Sequence, residues 1–421
     1  PMGYADLEKY YCESEFQMGV SGDHEEWDGY LGAYRSKPYP MKKVWQAYGD
    51  QIFLDKVNNA VIDKRTIKVM STPQARNSTI FDGRPACAGN STCVPICPIQ
   101  AKYDATVHVK KAIEKGAVLY ANSVVKKLHP DEGGRIVRLT YVDMISGTEI
   151  DIDTSEKLVI LAAHAIETPR LLLYSGLAPK SGQVGKNLMD HLQGYCVAIA
   201  SQPVYPFRGP ITTSGIDVFR DGASRKDFAA FRMSIGNDGW GRIESPVNTL
   251  WENLNDGILG KKLRDNIRER VTRLIRISFS TEMLPTDKNA VTLSDDSDPI
   301  GIPRPRLSFY FDDYNRKAME YAYGISKQIF NLASCVTDET KSQFKEYSGA
   351  GHIMGTTRMG TNADDSVVDQ FGMVHEHRNL YIAGPSIFVT SGTANPTLTA
   401  AALSLRTADK IDSLLTNSTQ H

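Results

Sequence analysis

Three cysteines lie close together in the first quarter of the chain, at a spacing that could serve a metal centre. Cys87, Cys93 and Cys97 follow the pattern C-x5-C-x3-C-P, in a segment whose glycine and prolines disfavour regular structure. Thiolates this close can converge on one centre, and a cysteine followed by proline recurs in iron–sulfur loops. Spacing alone leaves other interpretations open: a zinc site, a disulfide with one free thiol, or ordinary core cysteines.

A second candidate site lies near the end of the chain, where a histidine and an asparagine flank a glycine-rich segment. His352 follows Gly351, and an imidazole titrates close enough to neutral pH to serve as a general base. Asn395 precedes Pro396 and Thr397, a combination typical of a helix start. The free N–H groups and positive dipole end of such a helix can hold an anion, such as a phosphate or a reduced flavin ring. Asparagine is also a common N-cap, and a lone histidine is more often structural.

The elements that must position these residues follow from hydrophobic periodicity. The apolar run at 158–163 leads into a helical pattern at 166–173, which is the crossover of an open α/β sheet, and 379–384 predicts another buried strand. Earlier in the chain we predict helices over 4–19, 43–59 and 102–115, a strand over 117–120, and a hairpin of 123–127 and 137–143 with a turn at 131–134.

The character of the sequence changes between residues 194 and 345. Strand patterns near 195–201, 228–234 and 275–283 alternate with helical patterns at 258–273 and 314–332. We therefore predict a separate antiparallel sheet backed by helices, inserted into the first lobe. No internal repeat is evident.

Composition excludes several classes of function. The chain has 421 residues and a formal net charge of -1, so no basic face indicates nucleic-acid binding. No apolar run reaches the length of a transmembrane helix, and no signal peptide opens the chain. The sequence starts at Pro1 without an initiator methionine, so we expect that it lacks its natural beginning.

Four stretches of the chain together match a known pattern. They are 4–22, 163–176, 184–191 and, most specifically, 352–408. This combination resembles the glucose–methanol–choline (GMC) oxidoreductase superfamily of flavoproteins. With the three cysteines included, the sequence is most similar to the catalytic subunits of bacterial FAD-dependent sugar dehydrogenases of the glucose and fructose type.

The resemblance implies a chemistry for each candidate residue. It implies FAD as cofactor and a [3Fe–4S] cluster on the three cysteines, which would pass electrons to an external acceptor or cytochrome. His352 would take the hydroxyl proton of a sugar or polyol while hydride goes to flavin N5, and Asn395 would hold the substrate oxygen. Cofactor contacts are expected at the following residues: Val125, Gly384, Pro385, Asn395, Pro396 and Thr397.

The other histidines are interpreted from their positions in the sequence, and the resemblance implies partners. His191, after Asp190, is interpreted as a structural residue beside the flavin domain, and His375 and His377 as solvated residues of a turn. Expected partners are a small chaperone-like subunit and a cytochrome c subunit, with membrane attachment only through a partner and a periplasmic location. No nucleic-acid partner is expected.

One departure from the family bears on the predicted fold. The G-x-G-x-x-G turn that would hold the FAD pyrophosphate is absent, so the chain resembles a member without its first hundred or so residues. We predict an α/β (mixed α+β) fold: an FAD-binding Rossmann-like domain, incomplete at the N-terminus, with an inserted substrate domain. The predicted segments are 1–80 (bridging helices and loops), 81–105 (cysteine-rich loop), 106–193 (FAD-binding), 194–348 (substrate-binding) and 349–421 (FAD-binding, with the catalytic residues).

Two alternatives to this function stay open at this point. A flavin oxidase would deliver electrons to oxygen and use the cysteines only structurally. A non-enzymatic chain would use the cysteine loop to bind zinc or to form a disulfide.

Overall fold

The computed structural model describes residues 2–89, 91–94, 96–237, 246–346 and 348–418. Its helices are α1 (Tyr4–Met18), α2 (His24–Trp27), α3 (Gln51–Lys56), α4 (Thr106–Glu114), α5 (His164–Ser175), α6 (Pro246–Asn255), α7 (Gly260–Arg273), α8 (Asp313–Leu332) and α9 (Thr397–Ser418). Its strands are β1 (Ser21–Gly22), β2 (Met41–Lys42), β3 (Val61–Ile62), β4 (Arg65–Thr66), β5 (Met70–Ser71), β6 (Ser123–Pro130), β7 (Ile136–Asp143), β8 (Glu149–Asp153), β9 (Val159–Leu161), β10 (Leu192–Ala200), β11 (Ser214–Ile216), β12 (Phe231–Ile235), β13 (Leu274–Thr281), β14 (Ala290–Ser297), β15 (Pro303–Ser308), β16 (Cys335–Gln343) and β17 (Leu380–Ile382).

A six-stranded antiparallel sheet forms the largest layer, in the order β16-β10-β13-β12-β11-β5. It contains the three strands predicted for the inserted lobe (β10, β12 and β13) and adds β11, β16 and, from the N-terminal segment, β5. Helix α8 packs on one face, where Met319, Ala322 and Ile325 join the buried core. The predicted sheet backed by helices is confirmed.

The strand-to-helix unit predicted at 158–173 is also present. Strand β9 pairs in parallel with β17, and α5 follows β9 directly. The predicted hairpin exists as β6–β7, closed by a turn in which Gly134 adopts φ +80, and β8 extends it to a three-stranded antiparallel sheet. The mixed α/β fold class is therefore confirmed.

A buried asparagine connects these two sheets. The side chain of Asn379 accepts a hydrogen bond from the Ile136 N–H (2.9 Å) and donates to the carbonyls of Ile136 (2.9 Å) and Lys157 (3.0 Å). It thereby pairs with the backbone of β7 as a strand residue would. These bonds fix the position of the turn that precedes β17, the strand that leads to Gly384.

Two helix predictions near the N-terminus were wrong in extent. Of 43–59, only α3 and a short 3₁₀ turn at Tyr48–Asp50 are helical. The Ala47 N–H donates to the Thr213 hydroxyl (2.9 Å), and buried Asp50 accepts from Thr213 (2.6 Å), so tertiary hydrogen bonds replace the first helical turns. Helix α4 begins later than predicted, because the Tyr103 N–H is bonded to the Ala75 carbonyl (2.8 Å).

The strand predicted at 117–120 does not form. Val118 is 76% exposed and Leu119 62% exposed, and neither belongs to a strand. An apolar run becomes a strand only where a partner edge is in reach, and periodicity cannot supply that information.

Candidate functional site

Two loops that are distant in sequence lie side by side and carry the candidate catalytic residues. Met189 pairs with Met354, with backbone hydrogen bonds of 2.9 and 3.0 Å, and Leu192 pairs with Gly349. Gly355 adopts φ +93, and a Cβ at this position would lie 2.4 Å from the Asn187 carbonyl oxygen. Glycine is therefore required here for the loops to approach so closely.

A buried carboxylate joins the two loops at their centre. Asp190 Oδ1 accepts hydrogen bonds from the backbone N–H groups of His191 (2.7 Å) and His352 (2.8 Å), and Oδ2 accepts from Gly351 N–H (3.1 Å). Because charged acceptors form stronger hydrogen bonds than neutral ones, Asp190 holds both histidine backbones in a defined position.

The two histidine side chains then meet nitrogen to nitrogen. His191 Nδ1 lies 2.8 Å from His352 Nδ1, and His191 Nε2 lies 2.8 Å from the Gly392 carbonyl oxygen. A carbonyl can only accept, so His191 carries its proton on Nε2 and accepts at Nδ1. The His352 proton must then be on Nδ1. The Nε2 atom of His352 is therefore unprotonated and can accept a hydrogen bond.

Asn395 faces that nitrogen atom. Its Nδ2 lies 3.1 Å from His352 Nε2, in donor geometry, at the mouth of α9. His352 and Asn395, 43 residues apart, are therefore brought together as predicted. Both can contact a third group placed between them.

Burial decides the charge state of the histidine pair. It lowers the pKa of His352 to about 4, with a further decrease from the neighbouring His191 and an opposing effect of Asp190. Burial also lowers the pKa of His191, opposed by its bond to the Gly392 carbonyl and by Asp190. Both imidazoles are thus neutral at pH 7, as the hydrogen-bond chain requires.

Asp190, His191 and His352 also form a potential metal-ligand set. Their ligand atoms lie within 4.8 Å of one another, and no other such set of three occurs among the residues that the structure describes. Hydrogen bonds already occupy both carboxylate oxygens and both nitrogens of His191. The set is explained by these bonds, without an ion.

The residues predicted to contact the flavin lie beside this pair. The Pro385 carbonyl accepts from the Gly355 N–H (3.1 Å), three residues beyond His352. Gly384 has φ +106, and a Cβ there would meet nothing within 4 Å. Asn395 and Thr397 are exposed and Pro396 is half-buried, so the start of α9 is open. Open backbone next to a helix N-terminus fits a flat, electron-rich ring such as the FAD isoalloxazine.

Val125 belongs to a different part of the chain from the other predicted cofactor contacts. It is on β6 opposite Tyr141, 38% exposed. Strand β6 is at the edge of its sheet, so part of its backbone remains free for a ligand. Its predicted contact with the cofactor stays a prediction.

The cysteine loop has its own electrostatic character. All three thiols are free; Cys93 is buried, whereas Cys87 and Cys97 are half-buried. Burial alone would raise the pKa of Cys97, but backbone N–H groups of residues 99, 101 and 102 and the charge of Arg76 lower it overall. A lowered pKa favours the thiolate that a metal needs. The three cysteines do not form a set as tight as 4.8 Å, and a cluster does not require one, since iron and sulfide lie between its thiolates.

Two family models match this chain, and they cover more than half of it. The N-terminal GMC oxidoreductase model matches residues 64–193, and the C-terminal one matches residues 285–404. The fructose dehydrogenase large subunit of Gluconobacter japonicus is 36% identical over 97% of this chain and 74% of its own length. This chain belongs to the GMC oxidoreductase family.

A further relative is similar in sequence, and a solved structure is similar in fold. A 2-methyl-1,2-propanediol dehydrogenase from Mycolicibacterium austroafricanum is 28% identical over 98% of this chain and 74% of its own length. Pyridoxine 4-oxidase from Mesorbium loti, a solved structure, has a TM-score of 0.63 at 18% identity, covering 97% of this chain and 77% of that one. The GMC chain is an oxidoreductase that uses FAD to oxidise alcohols, so the non-enzymatic alternative is wrong.

Three histidines differ from their predicted roles or extend them. His191 contacts the candidate base directly. His377 is buried, not solvated: its Nδ1–H donates to the Gly134 carbonyl (2.6 Å), and its Nε2 accepts from the Ala178 N–H (3.2 Å). His375 is half-buried and lies 3.0 Å from the Ser366 hydroxyl, so it is not fully solvated either. Polar neighbours from distant segments decide these environments, and periodicity does not report them.

None of the helices that the structure describes is long and apolar enough to cross a membrane.

Proposed function

We propose that this GMC oxidoreductase oxidises a hydroxyl-bearing carbon of a sugar or related polyol, with His352 as general base. The observation that carries the proposal is the hydrogen-bond chain from the Gly392 carbonyl through His191 to His352. It fixes the tautomer in which His352 Nε2 is unprotonated and faces Asn395.

The roles of the chain's own residues follow from this arrangement. FAD, when bound, supplies the hydride acceptor at flavin N5. His352 Nε2 takes the proton of the substrate hydroxyl, and the low pKa keeps the imidazole in its base form at neutral pH. The Asn395 amide is uncharged and donates to the substrate oxygen without competing for that proton. Gly384, Pro385, Pro396 and Thr397 would border the ring, and Val125 would contact another part of the cofactor.

We further propose that Cys87, Cys93 and Cys97 hold an iron–sulfur cluster of the [3Fe–4S] type. Three ligands in one loop and the lowered pKa of Cys97 support this assignment. Such a cluster would supply a one-electron path out of the enzyme to an external acceptor or cytochrome.

Substrate class, partners and location rest on the relative with 36% identity. That relative is named a fructose dehydrogenase and a large subunit, which supports a sugar substrate and further subunits here. We propose a small chaperone-like subunit and a cytochrome c subunit as partners, and a periplasmic site of action. Within the chain, we propose 194–348 as the substrate-binding domain, 81–105 as the cluster loop, and 1–80, 106–193 and 349–421 as the bridging and FAD-binding parts.

An oxidase is the second candidate function. A paromamine 6'-oxidase from Streptomyces fradiae is 26% identical over 98% of this chain and 71% of its own length. Oxygen consumption with sugar that persists in Cys93→Ser would favour this alternative over transfer through a cluster.

Flavin reduction under anaerobic conditions tests the proposed chemistry. His352→Ala is expected to slow FAD reduction by sugar by about 10²–10⁴-fold, the usual contribution of a general base, with FAD still bound. His129→Ala, which replaces a histidine on β6, is the matched control and is expected to keep the rate. An unchanged rate in His352→Ala would remove this residue from its assigned role.

A further inference from the structure

The six-stranded sheet has two chemically different faces. Side chains that point towards α8 are apolar and buried, and a Cβ on Gly194 would lie 2.7 Å from the Met319 methyl group. Successive side chains of a strand alternate between faces. The opposite face of β10, β12 and β13 therefore presents the following partly exposed polar side chains: Gln193, Tyr195, Arg232, Ser234, Ser278 and Ser280.

One row of this polar face begins at the catalytic histidines. Gln193 is opposite Ser280, and Ser280 is opposite Arg232, in the register of β10, β13 and β12. The Gln193 amide donates to the Ser280 hydroxyl at 3.4 Å. Gln193 follows His191 by two residues, so both side chains project from the same side of the chain. His352, bonded to His191, lies at the same end of the row.

Charged side chains lead from the other end of the row back to the catalytic loop. Arg232 Nε donates to Asp217 Oδ1 (3.0 Å), which also pairs with Arg220 (3.4 Å). Arg220 Nε donates to the Thr393 hydroxyl (2.9 Å). Thr393 follows Gly392, whose carbonyl accepts from His191. The polar groups thus form an arc that begins two residues after His191 and ends beside Gly392, the hydrogen-bond partner of His191.

The polar side chains described above differ in exposure: the buried ones can only position their neighbours, and the partly exposed ones can contact a ligand. Asp217 is fully buried and holds the two guanidinium groups in place. Arg220 keeps 33% of its side chain exposed, and Gln193 and Ser280 are partly exposed. An amide and a hydroxyl can each donate and accept, and a guanidinium donates, which suits ligand hydroxyls in several orientations.

We propose that Gln193, Ser280 and Arg220 bind the hydroxyls that neighbour the one being oxidised, and so select polyhydroxylated substrates. The inference rests on the proposed function, because it places the reacting hydroxyl at His352 and Asn395. An alcohol with a single hydroxyl uses the catalytic pair alone and gains no hydrogen bonds from Gln193, Ser280 and Arg220. A site built to hydrogen-bond a substrate discriminates strongly against an analogue without those groups.

Anaerobic FAD reduction in the holoenzyme tests this proposal. The measured quantity is the ratio of kcat/KM for sorbitol to kcat/KM for cyclohexanol. Gln193→Leu is expected to lower the ratio about 10-fold, mainly through KM for sorbitol, as loss of a hydrogen bond of ordinary strength would. Ser280→Ala, a smaller change, is expected to act in the same direction. Gln17→Leu removes an exposed glutamine on α1 and is expected to leave the ratio unchanged.

The possible outcomes distinguish failure of this inference from failure of the proposed function on which it rests. A ratio that is unchanged in both Gln193→Leu and Ser280→Ala overturns the assignment of the polar row, even when both alcohols still reduce FAD through His352. A wild-type enzyme whose FAD is reduced by neither alcohol, nor by a sugar, contradicts the proposed function itself.

Discussion

The Nδ1 atoms of His191 and His352 lie 2.8 Å apart, with the two rings nearly perpendicular at 82°. One nitrogen must donate and the other accept, and the Gly392 carbonyl decides which. The proton position on the candidate base is therefore set by His191, both of whose ring nitrogens are already hydrogen-bonded within the protein. His191 is a positioning residue, and its effect can be separated from that of the base.

Replacing His191 is expected to slow the enzyme without abolishing its chemistry. His191→Ala removes the acceptor for the His352 Nδ1 proton, and loss of one such bond corresponds to about a 10-fold lower rate of FAD reduction. Histidine ¹⁵N chemical shifts should then show His352 in a mixture of tautomers. His191→Gln offers a carbonyl oxygen in place of the imidazole and should restore part of the rate. A rate and tautomer in His191→Ala equal to those of the wild type would contradict the positioning role.

The pH dependence of kcat/KM for FAD reduction should show the low pKa of His352. The base is active when unprotonated, so its contribution is constant above pH 6 and falls only as the pH drops towards about 4. Asp190→Asn is expected to lower this pKa further, because the carboxylate raises it. His191→Ala should move it up towards 6.5, since burial and the neighbouring His191 both lower it. A limb near pH 6.5 in the wild type would show that His352 is more solvated than the structure indicates.

The cysteine loop can be tested by its iron. Cys93→Ser removes a buried ligand and is expected to lower iron and sulfide content and to abolish the electron paramagnetic resonance signal of a [3Fe–4S] centre. Transfer of electrons to a one-electron acceptor should fall with it. Cys335→Ser, at an isolated cysteine of β16, is the control and should retain iron. Wild-type protein that contains neither iron nor sulfide would exclude the cluster.

Asn379 is expected to contribute more to stability than any exposed asparagine. Asn379→Ala removes the side-chain partner of the buried Ile136 N–H, at a cost of about 1–3 kcal/mol in the free energy of unfolding. The Ile136 carbonyl keeps its hydrogen bond from the Thr154 hydroxyl (2.9 Å). Urea denaturation measures this cost from the midpoint at constant slope. Asn331→Ala, on the exposed side of α8, should leave the midpoint nearly unchanged. Equal midpoints for the two variants would mean that water replaces the Asn379 contacts.

The sequence predicted those parts of the fold whose information is local. The start of α9 was predicted from Asn395 and Pro396, and the β6–β7 hairpin from its turn. The contact of His191 with His352 spans 161 positions, and no periodicity connects them. The nearest signal was the match of 184–191 to the family, but it did not distinguish a structural histidine from one that orients the base.

The failures have one physical cause in common. The helix predicted at 43–59 is replaced in part by hydrogen bonds to Thr213, and the strand predicted at 117–120 finds no partner edge. In the first case a hydrogen-bond partner from a distant segment outweighed local helix propensity. In the second case the lack of a pairing strand outweighed local strand propensity. The pairing of Gln193, Ser280 and Arg232 was beyond prediction for the same reason, since it depends on the register of three strands.

Helix α1 packs along α9, and the Tyr11 hydroxyl lies 3.0 Å from the Thr399 hydroxyl in the first turn of that helix. Helix α1 therefore braces the end of α9 that we propose to border the flavin. This matters for any use of the enzyme on an electrode surface. A tether on α1 would pull on the start of α9, whereas one on Lys261 of α7, whose side chain is 82% exposed, would leave it undisturbed.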